Sequence, residues 1–375
     1  MPTSPRATHP TSGTAAQGRS ARGYPAAVAT TVGADPGVVG PYLATVFGDE
    51  KWRSVSIELI AAGLSNLTYV VTPDGGTAED AVILRRPPTG AVLATAHDMV
   101  REHRVISALA DTAVPVPRTL HLATDTAVLG APFYVMERVV GVHVVSELPP
   151  GYADEPGQRR AIADGLMDTL ADLHAVDPGA VGLADFGRPE GFLERQVRRW
   201  TKQWDATRDR DRPALDALAA RLAETVPASQ RTGITHGDYR LDNCLLDPAV
   251  PGRIRAVLDW EMSTLGDPLT DLGMLFVYWP QAGEDRAVSV TSVSAQPGFP
   301  TRLELAERYA GRSGADLSDL NWYVGFAFFK FAAIVAGIVA RSAAGAMAGK
   351  DTTGYADRID PCVELGRAAL EDRAL

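Results

Sequence analysis

The segment that most restricts the possible fold of this chain is ITHGDYRLDNCLLDP, residues 234–248, which precedes the apolar run IRAVLDW at 254–260. Asp238 and Asn243 lie five residues apart, so a single loop must hold both of them. Asp259 follows the apolar residues AVL at 256–258, which predicts that it stands at the end of a short strand. A hairpin would return that strand end to the loop and bring Asn243 and Asp259 together beside Asp238.

These three side chains have the chemistry that phosphoryl transfer requires. The oxygens of Asn243 and Asp259 suit Mg²⁺, which keeps several waters and takes one or two carboxylates plus substrate phosphates. Asp238 would then be free to accept a proton from a hydroxyl group, as a positioned carboxylate does in phosphoryl transfer. A loop of Asx turns with solvated acids is the alternative. The combination of His-Gly-Asp, the Asn and the Asp-terminated strand favours the metal site.

The order of predicted elements divides the chain into two lobes. Periodicity and turn residues predict helices at 36–47 and 97–111, and strands within 55–73 around a turn at 61–65, at 81–86, at 121–125 and at 133–141. After Gly141 helices dominate, at 159–178, at 212–226 and from 301 onward. Strands followed by helices predict an α+β protein with a cleft between a small β-rich lobe and a larger, mainly helical lobe.

The predicted domain boundaries follow from this change of character. Residues 1–25 are rich in Ser, Thr, Arg, Ala and Pro and lack the apolar core of a secretory signal, which predicts a disordered tail. The N-lobe is expected at residues 26–137 and the C-lobe at residues 138–375.

Composition narrows the classes of function. The formal net charge of −10 argues against a general affinity for nucleic-acid backbones. Cys244 and Cys362 provide neither a disulfide framework nor zinc-ligand spacing, so a reducing cytoplasm is the expected location. The apolar run at 322–340 is interrupted by Lys330 and two glycines, which favours a buried helix over a membrane span. The sequence leaves the oligomeric state open.

The motifs HGDYRLDN (236–243) and VLDWEMSTLGDPLTDL (257–272) resemble those of the aminoglycoside phosphotransferase and choline kinase family, whose fold is similar to that of protein kinases. The resemblance extends over residues 55–340. Phrases such as ILRRPPTG (83–90) and LADLHAVDP (170–178) are similar to the kinase-like domain of acyl-CoA dehydrogenase family members ten and eleven. This resemblance implies a protein-kinase-like two-lobe fold, ATP as the phosphoryl donor and Mg²⁺ as the cofactor, with GTP left open as an alternative donor.

Carried over to this chain, the resemblance makes Asp238 the base that orients the acceptor hydroxyl, and Asn243 and Asp259 the Mg²⁺ ligands. His236 is expected to support the loop by hydrogen bonding, because a second base beside Asp238 would be redundant. We call residues 236–243 the catalytic loop. The residues expected to brace it are the two acids of GDPLTD (266–271), Asp267 and Asp271. Capping of the following helix is compatible with the first of these acids.

The resemblance also implies how the small lobe would bind phosphates. The small residues at 61–69 take the place of a phosphate-covering loop, including Ser65 and Asn66, although a plain turn fits the spacing equally well. The third strand offers two arginines and no lysine. Strand alternation and the Leu-Arg pair of this branch select Arg85 over Arg86, and an arginine would bind phosphate as a fork. Glu102 on the next helix is expected to pair with this cation, with an exposed helix charge as the alternative.

The segment FYVMERVVG (133–141) resembles the hinge of the kinase fold. The backbone of Glu137 and Val139 is expected to bond the adenine edge, with Met136 behind the base. A buried strand of ordinary core residues is the alternative.

The acceptor is the part of the function that the sequence determines least. In GFLERQVRRWTKQWD (191–205), four basic residues recur at helical spacing, Arg195, Arg198, Arg199 and Lys202. Such a basic face would suit a phosphate- or CoA-bearing acceptor and not a polycationic aminoglycoside, unless the face is merely solvated. Of the four, Arg198 and Lys202 are selected as possible substrate contacts. Glu261 faces either substrate or solvent. We expect an ATP- and Mg²⁺-dependent small-molecule kinase that phosphorylates a hydroxyl group. The resemblance to the acyl-CoA dehydrogenase-linked branch implies a hydroxyacyl-CoA-like metabolite as acceptor. An aminoglycoside O-phosphotransferase and a catalytically weak nucleotide-binding module are the alternatives.

Overall fold

The computed structural model describes residues 32–62, 66–89, 97–284, 291–345 and 352–371. Its strands are β1 (Val55–Ala62), β2 (Leu67–Pro73), β3 (Val82–Arg86), β4 (Thr119–Ala123), β5 (Phe133–Glu137), β6 (Val142–His143), β7 (Gly233–Thr235), β8 (Cys244–Leu246), β9 (Ile254–Val257) and β10 (Thr264–Gly266). Its α-helices are α1 (Pro36–Phe47), α2 (Met99–Leu109), α3 (Thr126–Leu129), α4 (Pro156–Ala175), α5 (Phe192–Thr207), α6 (Pro213–Glu224), α7 (Leu269–Val277), α8 (Arg302–Ser313), α9 (Leu320–Ala343) and α10 (Ile359–Leu370).

The small lobe is built on an antiparallel sheet in the order β1-β2-β3-β5-β4. Because side chains alternate along a strand, its two faces enter different cores. On β3, Val82 and Leu84 pack into a core with Leu43 of α1. Ile83 points the other way, into the core that it shares with Ile106 of α2. The next residue on that second face is the arginine that the sequence selected as the phosphate-binding cation.

The large lobe is organised around α9, the apolar helix that contains Lys330. This helix packs against α5, α7 and α10. By length and composition it could cross a membrane, with a mean hydropathy of 2.0 in its most apolar stretch, yet 72% of that stretch is buried inside the protein. Phe328 and Phe329 on α9 are 1% and 0% exposed. The helix therefore forms the core of the lobe, as the interrupting lysine predicted.

Two small sheets position the segment 234–259. β7 pairs with β10, and β8 lies between β6 and β9. Cys244 on β8 lies opposite Val257 on β9. One residue beyond this pair, the Leu258 backbone N–H donates to the carbonyl oxygen of Asn243 at 2.8 Å. The strand end that precedes Asp259 thus returns to the loop, which is the hairpin that the spacing predicted.

Two predicted boundaries were wrong by several residues. β5 ends at Glu137 rather than at 141. Glu137 pairs with Val82, and because Val82 is the first residue of β3, the pairing of β5 with β3 ends there. α4 begins at Pro156 rather than at 159, because Glu155 and Gln158 form a capping box at its N-terminus. The predicted tail at 1–25 lies outside the described residues, and the lobe boundary after residue 137 stays a prediction.

Candidate functional site

The catalytic loop, which follows β7, is held in place by Asp271, which lies in the first turn of α7 and is 1% exposed. Its Oδ2 accepts the His236 backbone N–H at 2.6 Å and its Oδ1 accepts the Gly237 backbone N–H at 2.8 Å. His174 of α4 adds a contact from Nε2 at 3.2 Å. Burial acts to raise the pKa of Asp271, but the partners His174 and His236 lower it on balance. Asp271 therefore braces the loop as an ionised carboxylate.

Gly237 is the position in this loop where a side chain cannot fit. Its φ is +85°, in the left-handed region that strains other residues. A Cβ at this position would lie 2.7 Å from the Met262 carbonyl oxygen. The glycine lets the loop turn tightly against the segment after β9, so that Asp238 follows directly on a braced backbone.

Asp238 is oriented by two neighbours from its own loop. Asn243 Nδ2 donates to the Asp238 carbonyl oxygen at 2.8 Å and to its Oδ2 at 3.0 Å. Arg240 Nε donates to the same Oδ2 at 3.1 Å, and the Asp238 side chain is 25% exposed. Within the described residues, no group donates to Oδ1. One carboxylate oxygen is thus fixed and the other is left to meet a hydroxyl.

His236 is completely buried beneath the loop. Its Nδ1 lies 3.3 Å from the backbone N–H of Asp238, and its Nε2 lies 2.9 Å from the carbonyl oxygen of Leu258. Because an N–H only donates and a carbonyl only accepts, these partners give Nδ1 the acceptor role and Nε2 the donor role. The geometry places His236 where a supporting residue belongs, between the loop and the end of β9.

Asp267 makes a second brace, between α7 and α9. Its Oδ1 accepts the Leu269 backbone N–H at 3.0 Å, so it caps the start of α7. Its Oδ2 accepts the hydroxyl of Tyr323 on α9 at 2.9 Å. These two bonds cap α7 and tie it to α9, whereas the backbone N–H groups of the loop itself are accepted by Asp271.

Asn243 and Asp259 line one cavity and supply oxygen donors of the kind that Mg²⁺ prefers. The Asn243 amide donates its N–H₂ to Asp238, so its oxygen is the atom available to a cation. Asp259 has φ 65° and ψ 61°, which is uncommon for a residue other than glycine and is found at functional sites. No group of three or more His, Cys, Asp or Glu within the described ranges could hold a metal. One carboxylate and one amide fit a magnesium ion that also takes nucleotide phosphates.

Arg85 of β3 points into the same cavity and joins the two lobes. Its Nη2 lies 2.9 Å from Glu102 Oε1 on α2 and 3.1 Å from Asp259 Oδ1. Glu102 is 1% exposed, and burial raises its pKa while the charge of Arg85 opposes that rise. Arg86 points to the opposite face, where it donates to the Leu129 carbonyl oxygen at 3.0 Å. The structure thus brings Arg85, and not Arg86, to the expected phosphate position.

Asn66 has a different position from the one that the sequence predicted. It is 2% exposed, and its Nδ2 donates to Glu102 Oε2 at 3.1 Å and to Glu261 Oε2 at 3.2 Å. His97 Nδ1 lies 2.9 Å from its Oδ1. Asn66 does not line the cavity between the lobes. It ties the small lobe to the segment after β9 and does not offer its side chain to a nucleotide. Ser65 lies outside the described residues.

The cavity between the lobes has a volume of about 550 Å³. Its walls include Ile83, Val257 and the predicted hinge residues Met136, Glu137 and Val139. The Glu137 backbone N–H already donates to the Arg118 carbonyl oxygen at 2.9 Å. The Glu137 carbonyl oxygen is therefore the backbone atom of this residue that could accept a hydrogen bond from a purine. The backbone N–H of Val139 could donate one.

A second cavity of about 420 Å³ lies on the other side of the catalytic loop, between that loop, α5, α7 and α9. Gly237 lines this cavity, whereas Asn243 lines the first. Asp238 lies between these residues along the chain. Glu261 also lines the second cavity, and its contact with substrate stays a prediction. Burial, followed by the charges of Asp259 and Glu102, raises the pKa of Glu261 to about 8.

The two basic residues predicted to contact substrate, Arg198 and Lys202, do not line this cavity and are exposed. The cavity receives Arg195 and Arg199 from α5 instead. Helical spacing shows which residues share a face, but the buried face of α5 decides which side turns inward. Of the four clustered cations, the two selected from the sequence therefore lie outside the cavity, and the other two line it.

Several residues of the site were missed by sequence reasoning. Lys330 Nζ donates to the Gly237 carbonyl oxygen at 3.0 Å, although the sequence marked it only as an interruption of an apolar run. A lone lysine in a buried helix was the available signal. Arg240, paired with Asp238 and Asp242 at 3.1 and 2.8 Å, lay within the motif itself. His174 gave no local signal, because it lies 97 residues from Asp271 in the chain.

The two lobes, and the loop whose residues line both cavities, define the class of this protein as a kinase-like phosphotransferase. The chain belongs to the phosphotransferase enzyme family, since the sequence model of that family matches residues 56–305.

The curated relatives are longer proteins. Acyl-CoA dehydrogenase family member 10 from Mus musculus is 36% identical over 311 residues, which are 81% of this chain and 28% of that protein. Acyl-CoA dehydrogenase family member 11 from Homo sapiens is 34% identical over 325 residues, which are 85% of this chain and 40% of that protein. The chain thus spans less than half the length of these relatives.

Solved structures share the fold. A crystal structure from Ralstonia eutropha, whose name proposes an aminoglycoside phosphotransferase, has a TM-score of 0.71 at 34% identity and covers 85% of this chain and 93% of that chain. Choline kinase from Cryptosporidium parvum has a TM-score of 0.57 at 11% identity over 85% and 89% of the two chains. A mutant of aminoglycoside phosphotransferase APH(4)-Ia, in a ternary complex with ADP and hygromycin B, has a TM-score of 0.56 at 16% identity over 87% and 98%.

Proposed function

We propose that this protein is an ATP- and Mg²⁺-dependent small-molecule kinase that transfers the γ-phosphoryl group of ATP to a hydroxyl group of a metabolite. The observation that carries the proposal is the hairpin that joins Asn243 and Asp259 beside Asp238, with Arg85 reaching the same place from the small lobe. The nucleotides in the names of structural relatives, such as ADP, support a nucleotide as the donor.

Each residue of the site has a defined part in this proposal. Asp238, held through Oδ2 by Asn243 and Arg240, orients the acceptor hydroxyl and accepts its proton. Arg85, kept in place by Glu102, stabilises negative charge on the donor phosphates. The braced loop keeps Asp238 fixed as the reaction proceeds, and positioning of this kind supplies much of the rate in phosphoryl transfer.

Asn243 and Asp259 would hold the magnesium ion. When bound, Mg²⁺ neutralises phosphate charge and helps to fix the leaving group. The ion pair of Asp259 with Arg85, at 3.1 Å, supports a joint role of these two side chains at the donor phosphates.

For the acceptor, we propose a hydroxyacyl-CoA-like metabolite. The curated relatives, which this chain matches over part of their length, are named acyl-CoA dehydrogenase family members. These names support an acyl-CoA as the ligand. The small-molecule substrate and the nucleotide are the proposed partners, without nucleic acid or membrane, and the cytoplasm is the proposed location. A polycationic aminoglycoside is disfavoured by the arginines and the lysine that line the second cavity.

A screen of ATP consumption tests this function. The wild-type protein and Asp238→Ala are assayed with Mg²⁺ against hydroxyacyl-CoAs, amino alcohols and aminoglycosides. We expect turnover with a hydroxyacyl-CoA, and we expect the variant to lose that turnover. Turnover of aminoglycosides alone would contradict the proposed acceptor, and a near-full rate in the variant would contradict the role of Asp238.

A further inference from the structure

The wall of the second cavity carries an excess of positive charge. Arg188, Arg195 and Arg199 approach it from α5 and the segment before this helix, and Lys330 approaches it from α9. Within the part of the chain that the structure describes, none of these four side chains forms an ion pair with a carboxylate. Like charges in one cavity repel one another, and a bound anion reduces that repulsion. The cavity wall therefore favours a negatively charged ligand.

The acids on the same wall are already engaged. Asp98 caps α2 by accepting the Arg101 backbone N–H at 2.9 Å. Asp271 accepts the two backbone N–H groups of the catalytic loop. Glu261 accepts from Asn66 at 3.2 Å. Within the described residues these three acids form no ion pair with the four cations, and the four cations outnumber them on the cavity wall.

Trp200 on α5 supports two of the cations. Its ring lies 5.5 Å from the guanidinium of Arg199 and 5.6 Å from the ammonium of Lys330, within the range of cation–π contacts. Arg195 has a different part, because it donates to the carbonyl oxygens of Arg188 and Glu190 and so fixes the segment before the helix. Arg199 and Arg188 are exposed and free to receive a ligand.

Of the four cations, Lys330 contacts the catalytic loop, and Arg199 shares the Trp200 ring with it. Lys330 Nζ contacts the Gly237 carbonyl oxygen at 3.0 Å. Burial lowers the pKa of Lys330, the charges of Asp238 and Asp271 oppose that effect, and the charge of Arg199 adds to it. Lys330 thus lies between the catalytic loop and Arg199. A molecule whose hydroxyl meets Asp238 would reach Arg199 with a more distant part.

We propose that Arg199 and Arg188 bind an anionic group of the acceptor, a phosphate or a carboxylate, and that Arg199 thereby selects anionic hydroxylated metabolites. The proposal rests on the proposed function in one respect, that the second cavity receives the acceptor. Guanidinium groups suit both anions, because their planar N–H donors match the oxygens of phosphate and carboxylate.

Binding measurements test this proposal independently of turnover. Protein saturated with Mg²⁺ and AMP-PNP, which occupies the nucleotide cavity, is titrated calorimetrically with 3-hydroxybutyryl-CoA, coenzyme A and 3-hydroxybutyrate. The variants are Arg199→Ala, Arg199→Glu and the control Arg198→Ala, whose side chain lies on the same helix but outside the cavity. Thermal unfolding of each variant checks that the fold is unchanged.

We expect Arg199→Ala to raise the Kd of at least one of these anions by about tenfold, which corresponds to about 1.4 kcal/mol. Arg199→Glu should raise it further, and Arg198→Ala should leave it within about twofold of the wild type. A loss limited to the two CoA compounds assigns the site to a CoA phosphate, and a loss that includes 3-hydroxybutyrate assigns it to a carboxylate.

Two results would overturn the inference. One is the absence of binding of all three probes to the wild-type protein at millimolar concentration. The other is an equal Kd for Arg199→Ala and Arg198→Ala. If a hydroxyacyl-CoA is phosphorylated but its KM is unchanged in Arg199→Ala, the proposed function stands and this inference fails. If the Kd shifts without phosphorylation, the anion site stands and the proposed function fails.

Discussion

Replacement of Asp271 by asparagine tests the brace beneath the catalytic loop. In the wild type, two backbone N–H groups, at 2.6 and 2.8 Å, point at the two oxygens of this buried carboxylate. Asparagine keeps one acceptor, but its N–H₂ faces the second backbone N–H. One charge-assisted hydrogen bond, worth about 1.5–3 kcal/mol, is lost, and a buried donor is left unpaired. We expect a total loss of about 2–4 kcal/mol in the free energy of unfolding.

Urea unfolding followed by circular dichroism at pH 7 measures this loss. Glu364→Gln is the control, because that carboxylate lies 3.5 Å from Arg367 and its side chain is 69% exposed. An exposed pair of this kind contributes only about 0–1 kcal/mol. A loss below about 1 kcal/mol in Asp271→Asn would refute the brace, since it would equal the loss from an exposed pair.

The brace also has a predictable pH dependence. The folded-state pKa of Asp271 is lowered below 3.8, its ordinary value. Its stabilising contribution is therefore complete above that value and is lost as the pH falls through the folded-state pKa. Asparagine does not titrate, so the difference in stability between wild type and Asp271→Asn should be constant near neutral pH and should narrow below about pH 4. A difference that widens on acidification would contradict the sign of this linkage.

Three further substitutions test other parts of the site. Asp238→Asn should lower kcat by about 10²- to 10⁴-fold, because the base that accepts the hydroxyl proton is lost, and should change the KM for ATP little. Steady-state kinetics measures both, and an unchanged kcat would exclude Asp238 as the base. Arg85→Ala should raise the Kd for Mg-ATP by about tenfold in calorimetry, because a phosphate loses its charged partner; equal binding would contradict that contact. Gly237→Ala should lower the free energy of unfolding by about 2–4 kcal/mol, because φ is +85° and a Cβ would meet the Met262 carbonyl oxygen; equal urea midpoints would contradict this strain.

The parts of the site that the sequence could predict are those with local causes. Asp238, Asn243 and Asp259 lie within 22 residues of one another, so a single hairpin determines their convergence. Strand alternation puts Arg85 and Arg86 on opposite faces, and the Leu-Arg pair of the resembling branch selects Arg85. The amphipathic helix α2 could be recognised from its periodicity, and Glu102 with it.

The parts that it could not predict depend on packing between distant segments. Asn66 is buried between Glu102 and Glu261, and the second of these lies 195 residues away in the chain. Lys330 reaches Gly237 across 93 residues. Arg198 and Arg199 are both basic and adjacent, so the sequence does not distinguish them; the packing of α5 decides that Arg199 lines the cavity. Local periodicity contains no information about such partners.

The central claim is that Asp259 and Asn243 form a metal-dependent nucleotide site with Arg85. Calorimetric titration of ATP, with Mg²⁺ and with EDTA, tests it most directly on the wild type and on Asp259→Asn. The account predicts that Mg²⁺ tightens ATP binding at least about tenfold in the wild type, and that this gain falls below about threefold in the variant. Equal affinity for ATP with and without Mg²⁺ in the wild-type protein would contradict it.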